Sequence, residues 1–376
     1  FGGNTGNLTA VREGDRPGAI LFCSHMDRVA NGLHIRPREK DGCLVSDGTT
    51  ILAADDVSGI CAILDGVRRA LASRKPLPRL EIAFTVGEES GLWGGRALDL
   101  SRFQSPFCYV MDSPGTLGRL INGAPGLAKL QAEILGKAAH AGNEPEKGIN
   151  AVYKMAGVIQ AIRTLVPPEH PVLGKGILEL VDIKSEPYPG ASVVPEYCKA
   201  SYDRRLLVGE TKESVLKPIQ ELLEKLMAED PELKVKVSYA VGKEKCYTGA
   251  EIEGERFFPG WLYAKDADFV QAVKQELEER GYAPEVTQYN FCTNGSHYAG
   301  EAGIKTFGLG PSQENLAHTV NEYVEVDQLI KVTDCYYGVM KSSDEIRESP
   351  ACGCCGADGC QDSAGCRFGR RWKNEF

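Results

Sequence analysis

Four places in the chain carry the side chains that divalent metal ions prefer, and three of them follow an apolar run. Gly18 to Ser24 leads into His25-Met26-Asp27, Leu80 to Val86 into Gly87-Glu88-Glu89, and Phe107 to Met111 into Asp112. The fourth, Asp55, opens a segment of helical periodicity. Imidazole with several carboxylates is a borderline-hard donor set, suited to zinc, cobalt or manganese and ill suited to copper(I) or iron–sulfur clusters. A carboxylate placed between two ligand pairs can bridge two ions roughly 3.5–4 Å apart, the spacing used for hydrolysis. On a strand, residues i and i+2 share a face, so Asp27 can hold the second ring nitrogen of His25 and fix its tautomer. Adjacent side chains diverge, so of Glu88 and Glu89 one can coordinate while the other faces the water. Taken singly, a strand-end His or Asp is a cap or turn residue, and a Glu-Glu pair in a loop is solvated surface. Three strand ends that all carry ligand types outweigh those readings, because ligands of open α/β sheets bind at the carboxyl ends of strands.

The elements that must position these residues are legible. The apolar runs are continuous, as in strands buried on both faces. Between them Ile60, Ile63, Leu64, Val67 and Leu71 are expected on one helix face, with Asp55 and Asp56 at its start. Strand and helix alternation predicts a mostly parallel α/β sheet. The middle of the chain reads strand 127–135, helix 150–165, strands 176–183 and 193–206, helix 212–227 and strand 233–239. That β-α-β-β-α-β order is a ferredoxin-like unit. A Gly- and Pro-containing connector over 242–260 follows, then helix 264–280, strand 304–309 and helix 326–340. The expected architecture is an α/β catalytic domain of residues 1–122 and 242–346, interrupted by an α+β domain of residues 123–241. Residues 347–376 form a Cys-rich tail.

Composition narrows the class. Of 376 residues, 52 are acidic and 43 basic, a net charge of −9 that speaks against a nucleic-acid partner. No apolar run approaches the roughly 20 residues of a membrane span. An acidic, cytoplasmic protein is expected. Eight of the 13 cysteines are scattered and read as small buried hydrophobes in a reducing compartment.

Ser24-His25-Met26-Asp27, Ala53-Ala54-Asp55-Asp56, Gly87-Glu88-Glu89-Ser90-Gly91 and Met111-Asp112 together resemble the dinuclear-zinc exopeptidase superfamily of peptidase T, aminoacylase and glutamate carboxypeptidase. The Ala-Asp-Asp segment is most similar to its tripeptide aminopeptidase branch. Ala139-His140-Ala141-Gly142, Ser192-Val193-Val194-Pro195 with Asp203-Arg204-Arg205, Thr293-Asn294-Gly295-Ser296 and Ala317-His318-Thr319-Val320-Asn321-Glu322-Tyr323 extend the resemblance over residues 4 to about 345. The resemblance implies two divalent ions, zinc foremost, with cobalt or manganese as alternatives. His25, Asp55 and Asp112 would hold one ion, and Glu89 and His318 the other, with Asp55 shared. It further implies Glu88 as general base, Asp27 as orienter and His140 as oxyanion stabiliser, often supplied by the partner subunit of a homodimer. Arg205 and the Asn294-Gly295 turn would grip a substrate carboxylate or backbone. The implied reaction is exopeptidase cleavage of small peptides. The alternatives are an N-acyl amino acid deacylase, to which the Asp203-to-Glu210 stretch is also similar, and a silent metal- or peptide-binding scaffold.

Other catalytic patterns are missing: there is no Gly-x-Ser-x-Gly elbow, no phosphate-binding Gly-x-x-x-x-Gly-Lys-Ser/Thr loop and no His-Glu-x-x-His helix. His34 and His170 read as surface residues, and His297 as lining the site. In the tail, Cys352, Cys354, Cys355, Cys360 and Cys366 could hold a zinc ion. With few apolar residues around them, the reading preferred here is a flexible, redox-sensitive segment whose removal leaves hydrolysis intact.

Overall fold

Strand Ala19–His25, buried from Ile20 to His25, lies inside a seven-stranded sheet and sorts its side chains between two cores. Ile20 and Phe22 point to one face, Leu21 and Cys23 to the other, as the twofold period of a strand requires. The computed structural model describes residues 4, 6–112, 117–190, 192–311 and 316–342, so the proposed role of the Cys-rich tail falls outside it. The sheet order is Leu8–Arg12, Arg79–Thr85, Ala19–His25, Phe107–Val110, Lys305–Gly308, Arg119–Ile121, Glu285–Thr287. Ala19–His25 runs parallel to both neighbours, Arg79–Thr85 on one side and Phe107–Val110 on the other. The chain thus leaves the middle strand, returns on one flank and then crosses to the other. The carboxyl ends of the three strands converge at that switch point.

Helices Ala54–Ala72, Asp268–Glu279 and Val326–Ser342 cover one face through Ile63, Val270, Val273, Tyr336 and Met340. The other face is closed by Leu98 and Tyr298 over Leu21, Cys23 and Cys108.

Between Arg119–Ile121 and the last strands of that sheet, the chain builds a separate antiparallel sheet. Its order is Ile177–Glu186, Tyr197–Leu206, Gly126–Leu135, Val235–Tyr239, and Phe257–Phe258 also pairs with Gly126–Leu135. Helices Ala151–Ile162 and Lys212–Glu229 pack on it through Met155, Val158, Ile219 and Leu223, giving a second core. Alternate residues of Tyr197–Leu206 are buried, so one face is left for Lys199, Asp203 and Arg205. The fold is therefore α/β, with a mostly parallel sheet and an α+β insertion of ferredoxin-like element order.

Three expectations needed correction. The helix after Asp55 does not bury Leu64 or Leu71, which are 51% and 49% exposed. Its inward stripe is Ala62, Ile63, Gly66 and Ala70. A Cβ on Gly66 would stand 3.4 Å from Tyr336 Cβ, so the close approach of helix Val326–Ser342 selects small residues there. A stripe drawn through the large apolar residues is rotated away from the true interface. The connector over 242–260 contains a hairpin, Val241–Lys245 with Glu251–Glu255, whose alternating charges hid its strands. Of the scattered cysteines only Cys23, Cys108, Cys198 and Cys335 are buried, and Cys61 is exposed.

These faces predict unequal costs on one helix. Ile63→Ala should cost about 2–5 kcal/mol of unfolding free energy, whereas Leu71→Ser should stay within about 0.5 kcal/mol. Urea denaturation of both variants decides the helix register.

Candidate metal centre

The three strand ends bring His25, Glu88, Glu89 and Asp112 into one cluster, and the irregular start of helix Ala54–Ala72, non-helical at Asp55 and Asp56, adds Asp55. Ligand atoms of His25, Asp55 and Glu89 lie within 4.8 Å of one another, as do those of His25, Glu88 and Asp112. His318 arrives from a loop late in the chain, with Nε2 3.0 Å from Glu89 Oε1 and 3.4 Å from Asp55 Oδ2. The other oxygen of Asp55, Oδ1, is 3.0 Å from His25 Nε2. One carboxylate thus presents one oxygen to each of two imidazoles.

Asp27 orients the cluster by a route different from the expected one. His25 Nδ1 lies 3.0 Å from the main-chain carbonyl of Asp27, and its carboxylate stands off at 3.6 Å. That carboxylate instead accepts the backbone N–H groups of Glu88 at 3.0 Å and Glu89 at 3.1 Å. The imidazole is fixed by the backbone, which frees the side chain to hold the neighbouring loop.

The electrostatics reflect crowded negative charge. Burial pushes Glu88 well above the usual carboxylate range, and Asp112 beside it adds to the rise. Burial and Asp55 also raise Glu89. Burial works against ionised Asp55, but hydrogen bonds with His25 and His318 outweigh it and hold the carboxyl well below its ordinary value. Burial likewise opposes a charged His25, yet the Asp55 hydrogen bond and the charges of Glu88, Asp56 and Asp112 carry it well upward. His318 is raised to about 9, chiefly by Asp55. Behind them Asp56, wholly buried, is pushed up to about 7 by burial. Excess negative charge among oxygen and imidazole donors is what a divalent cation would offset, so the donor set fits such ions.

Sequence reasoning missed the group that fixes Asp55. Glu322, 3% exposed, accepts the backbone N–H groups of Leu52 at 3.1 Å, Ala53 at 2.7 Å and Asp55 at 3.0 Å. It stands four residues after His318, so one segment supplies both a donor and the clamp for the opposing loop. No local pattern announces this, because its partners are more than 260 residues away.

A cavity of about 740 Å³ opens over the cluster. Asp55, Glu88, Glu89, Asp112 and His318 form its acidic wall. The insertion and the segment after it contribute Lys129, Arg205, Lys243 and Arg256, with Phe258, Phe291 and Cys292 also in the lining. Of the expected substrate contacts, only Arg205 reaches this cavity. Asn294 is 2% exposed and donates to Thr85 Oγ1 at 3.0 Å, and Gly295 is buried too, so the structure places that turn behind the lining. His297 pairs with Glu301 at 2.6 Å one helical turn on, away from the cavity. His140 is exposed in the insertion, bridged to Val193 and accepting the Gly142 N–H at 3.1 Å; within one chain it does not join the cluster.

Removing the Glu322 carboxylate should release the Asp55 loop. Glu322→Ala is expected to lose about 3 kcal/mol of stability, since one buried and two part-buried N–H groups lose a charged acceptor. Its divalent-metal content after dialysis should fall as well, with Glu322→Gln intermediate, as metal analysis and urea denaturation would show.

Known proteins share this fold. The family model described as peptidase family M20/M25/M40 matches residues 21–342. The YqjE protein of Bacillus subtilis is 30% identical over 343 residues, 91% of this chain and 86% of that protein. Peptidase T of Fusobacterium nucleatum is 27% identical over 304 residues, 80% of this chain and 68% of that one. The crystal structure of aminopeptidase PepT from Bacillus cereus superposes with a TM-score of 0.72 at 30% identity, covering 89% of this chain and 84% of that one. The matched span runs from strand Ala19–His25 to helix Val326–Ser342 and so takes in every residue of the cluster. The chain belongs to peptidase family M20/M25/M40, as a metallopeptidase-type hydrolase similar to peptidase T.

Proposed function

We propose that this protein is a dinuclear exopeptidase of the tripeptide aminopeptidase type, acting on small peptides. The observation that carries the reading is Asp55, with one carboxylate oxygen toward His25 and the other toward His318. In this reading His25 and Asp112 would hold one ion and Glu89 and His318 the second, with Asp55 available to both. Zinc is the ion proposed, with cobalt or manganese compatible with the same donors. Two such ions would polarise the scissile carbonyl and lower the pKa of the attacking water.

The chain's own groups supply the rest. Glu88 takes the proton of the attacking water on a carboxylate oxygen and passes it to the leaving nitrogen. Its position in a half-buried, acid-rich wall supports the role, because crowding by neighbouring carboxylates raises a base's proton affinity. Arg205, on the opposite wall, binds the substrate's terminal carboxylate. A cavity of about 740 Å³ is of small-molecule size and takes a short peptide, not a folded chain. His140, exposed in the insertion, completes the site as oxyanion donor from the partner subunit of a homodimer.

Glu88→Gln should keep both ions and lose roughly 10²–10⁴-fold in kcat on a free tripeptide. Loss of metal in Glu88→Gln with retention in Glu89→Gln would exchange the two roles. Capping the tripeptide carboxylate as an amide should raise KM for the wild type far more than for Arg205→Ala. Turnover of N-acyl amino acids without turnover of free tripeptides would move the reading to a deacylase.

The trans role has its own test. Mixed after confirmed subunit exchange, inactive Glu88→Gln and inactive His140→Ala chains should recover part of the activity. No recovery removes His140 from the partner's site.

A further inference from the structure

The loop that carries Glu88 and Glu89 is gripped from two sides, and only one grip comes from its own sheet. Asp27 accepts its first two N–H groups. Farther along the loop, the Ser90 carbonyl accepts a hydrogen bond from Arg256 Nη1. Arg256 belongs to the other sheet: its N–H donates to Ala240 O at 2.9 Å, and its carbonyl accepts from Lys129 N at 2.9 Å. The guanidinium also lies over the Trp93 ring, 4.9 Å from the centroid.

Its path is built for it. A methyl on Gly91 or on Gly242 would overlap the guanidinium, so one glycine from the catalytic loop and one from the hairpin leave the slot it fills. The loop moves as one piece, since Gly91 and Leu92 donate to Glu88 O at 3.1 and 2.9 Å, and Trp93 donates to Gly87 O at 2.9 Å. A shift at Ser90 therefore reaches Glu88.

We propose that Arg256 is a positioning residue that couples the placement of the insertion sheet to the loop bearing Glu88 and Glu89. The same sheet carries Arg205 and the segment of His140, so one contact sets the distance between the substrate-gripping wall and the hydrolytic wall. Lysine is only a partial substitute, because its single ammonium can reach the carbonyl but cannot also lie flat on the indole. The proposal rests on the peptidase reading for its effect on turnover, but not for its effect on the loop.

The test is a double-mutant cycle in the full-length, zinc-loaded protein with two readouts: tripeptide kinetics, and hydrogen exchange of the amides from Gly87 to Trp93. Arg256→Ala should lower kcat by up to about 10²-fold with KM within about threefold, the usual consequence of a small misplacement of catalytic groups. It should also speed exchange at Glu88 and Glu89 with zinc content unchanged, and Arg256→Lys should restore part of both. Gly242→Ala, which fills the slot without touching the loop, should reproduce the defect in the wild type and add nothing in Arg256→Ala. Equal harm from Gly242→Ala in both backgrounds overturns the proposal. So does an Arg256→Ala protein with wild-type exchange and kcat. If no peptide is turned over, the peptidase reading fails, and the exchange data alone decide the coupling.

Discussion

Everything at this site depends on holding the Asp55 carboxylate between two imidazoles in a crowd of other carboxylates. Glu88, Glu89, Asp112 and Asp56 share its surroundings, and like charges at such range resist being ionised together. The fold forces the meeting by ending three parallel strands at a switch point of the sheet. Divalent cations are the natural balance to that charge, which is why the same atoms that repel one another make a metal site.

The loops that carry the ligands are stiffened by charged groups acting on backbone. Glu322 holds the Asp55 loop by three N–H groups, Asp27 holds the Glu88 loop by two, and Arg256 takes the Ser90 carbonyl. Functional residues sit on loops because loops can be shaped, yet they work only when a rigid surround fixes their geometry. An ionised acceptor on several N–H groups is a strong restraint, since charge-assisted hydrogen bonds are roughly twice as strong as neutral ones. Each clamp also joins segments distant in sequence, so the site tightens only when the chain has folded around it.

The cavity has polarity. Its acidic wall comes from the parallel sheet, and Lys129, Arg205, Lys243 and Arg256 face it from the insertion and the segment after it. On the proposed reading, a zwitterionic peptide would meet opposite charge at its two ends, which would align it before any specific contact forms. Lys129 and Lys243 are already paired, with Asp203 at 3.3 Å and Glu253 at 3.1 Å, and the Arg256 guanidinium is taken up by the Ser90 carbonyl and the Trp93 ring, so Arg205 is left as the principal cation of that wall.

The sequence by itself determined the alternation of buried strands and helices, the ferredoxin-like order of the insertion and the residue types at the strand ends. These are local signals: apolar periodicity, turn residues and a donor set placed after each strand. The spacing also put Asp27 beside the second nitrogen of His25, though it could not say which of that residue's oxygens would face it. Only the tertiary structure decided that Asp27 uses its carbonyl for His25 and its carboxylate for the Glu88 loop. It alone turned Leu64 and Leu71 outward, buried Asn294, found strands in a charged hairpin and gave Glu322 and Arg256 their partners. Those outcomes depend on contacts between segments up to 270 residues apart. A side chain's type states what it can bind; its partner is set by which segment the fold brings beside it.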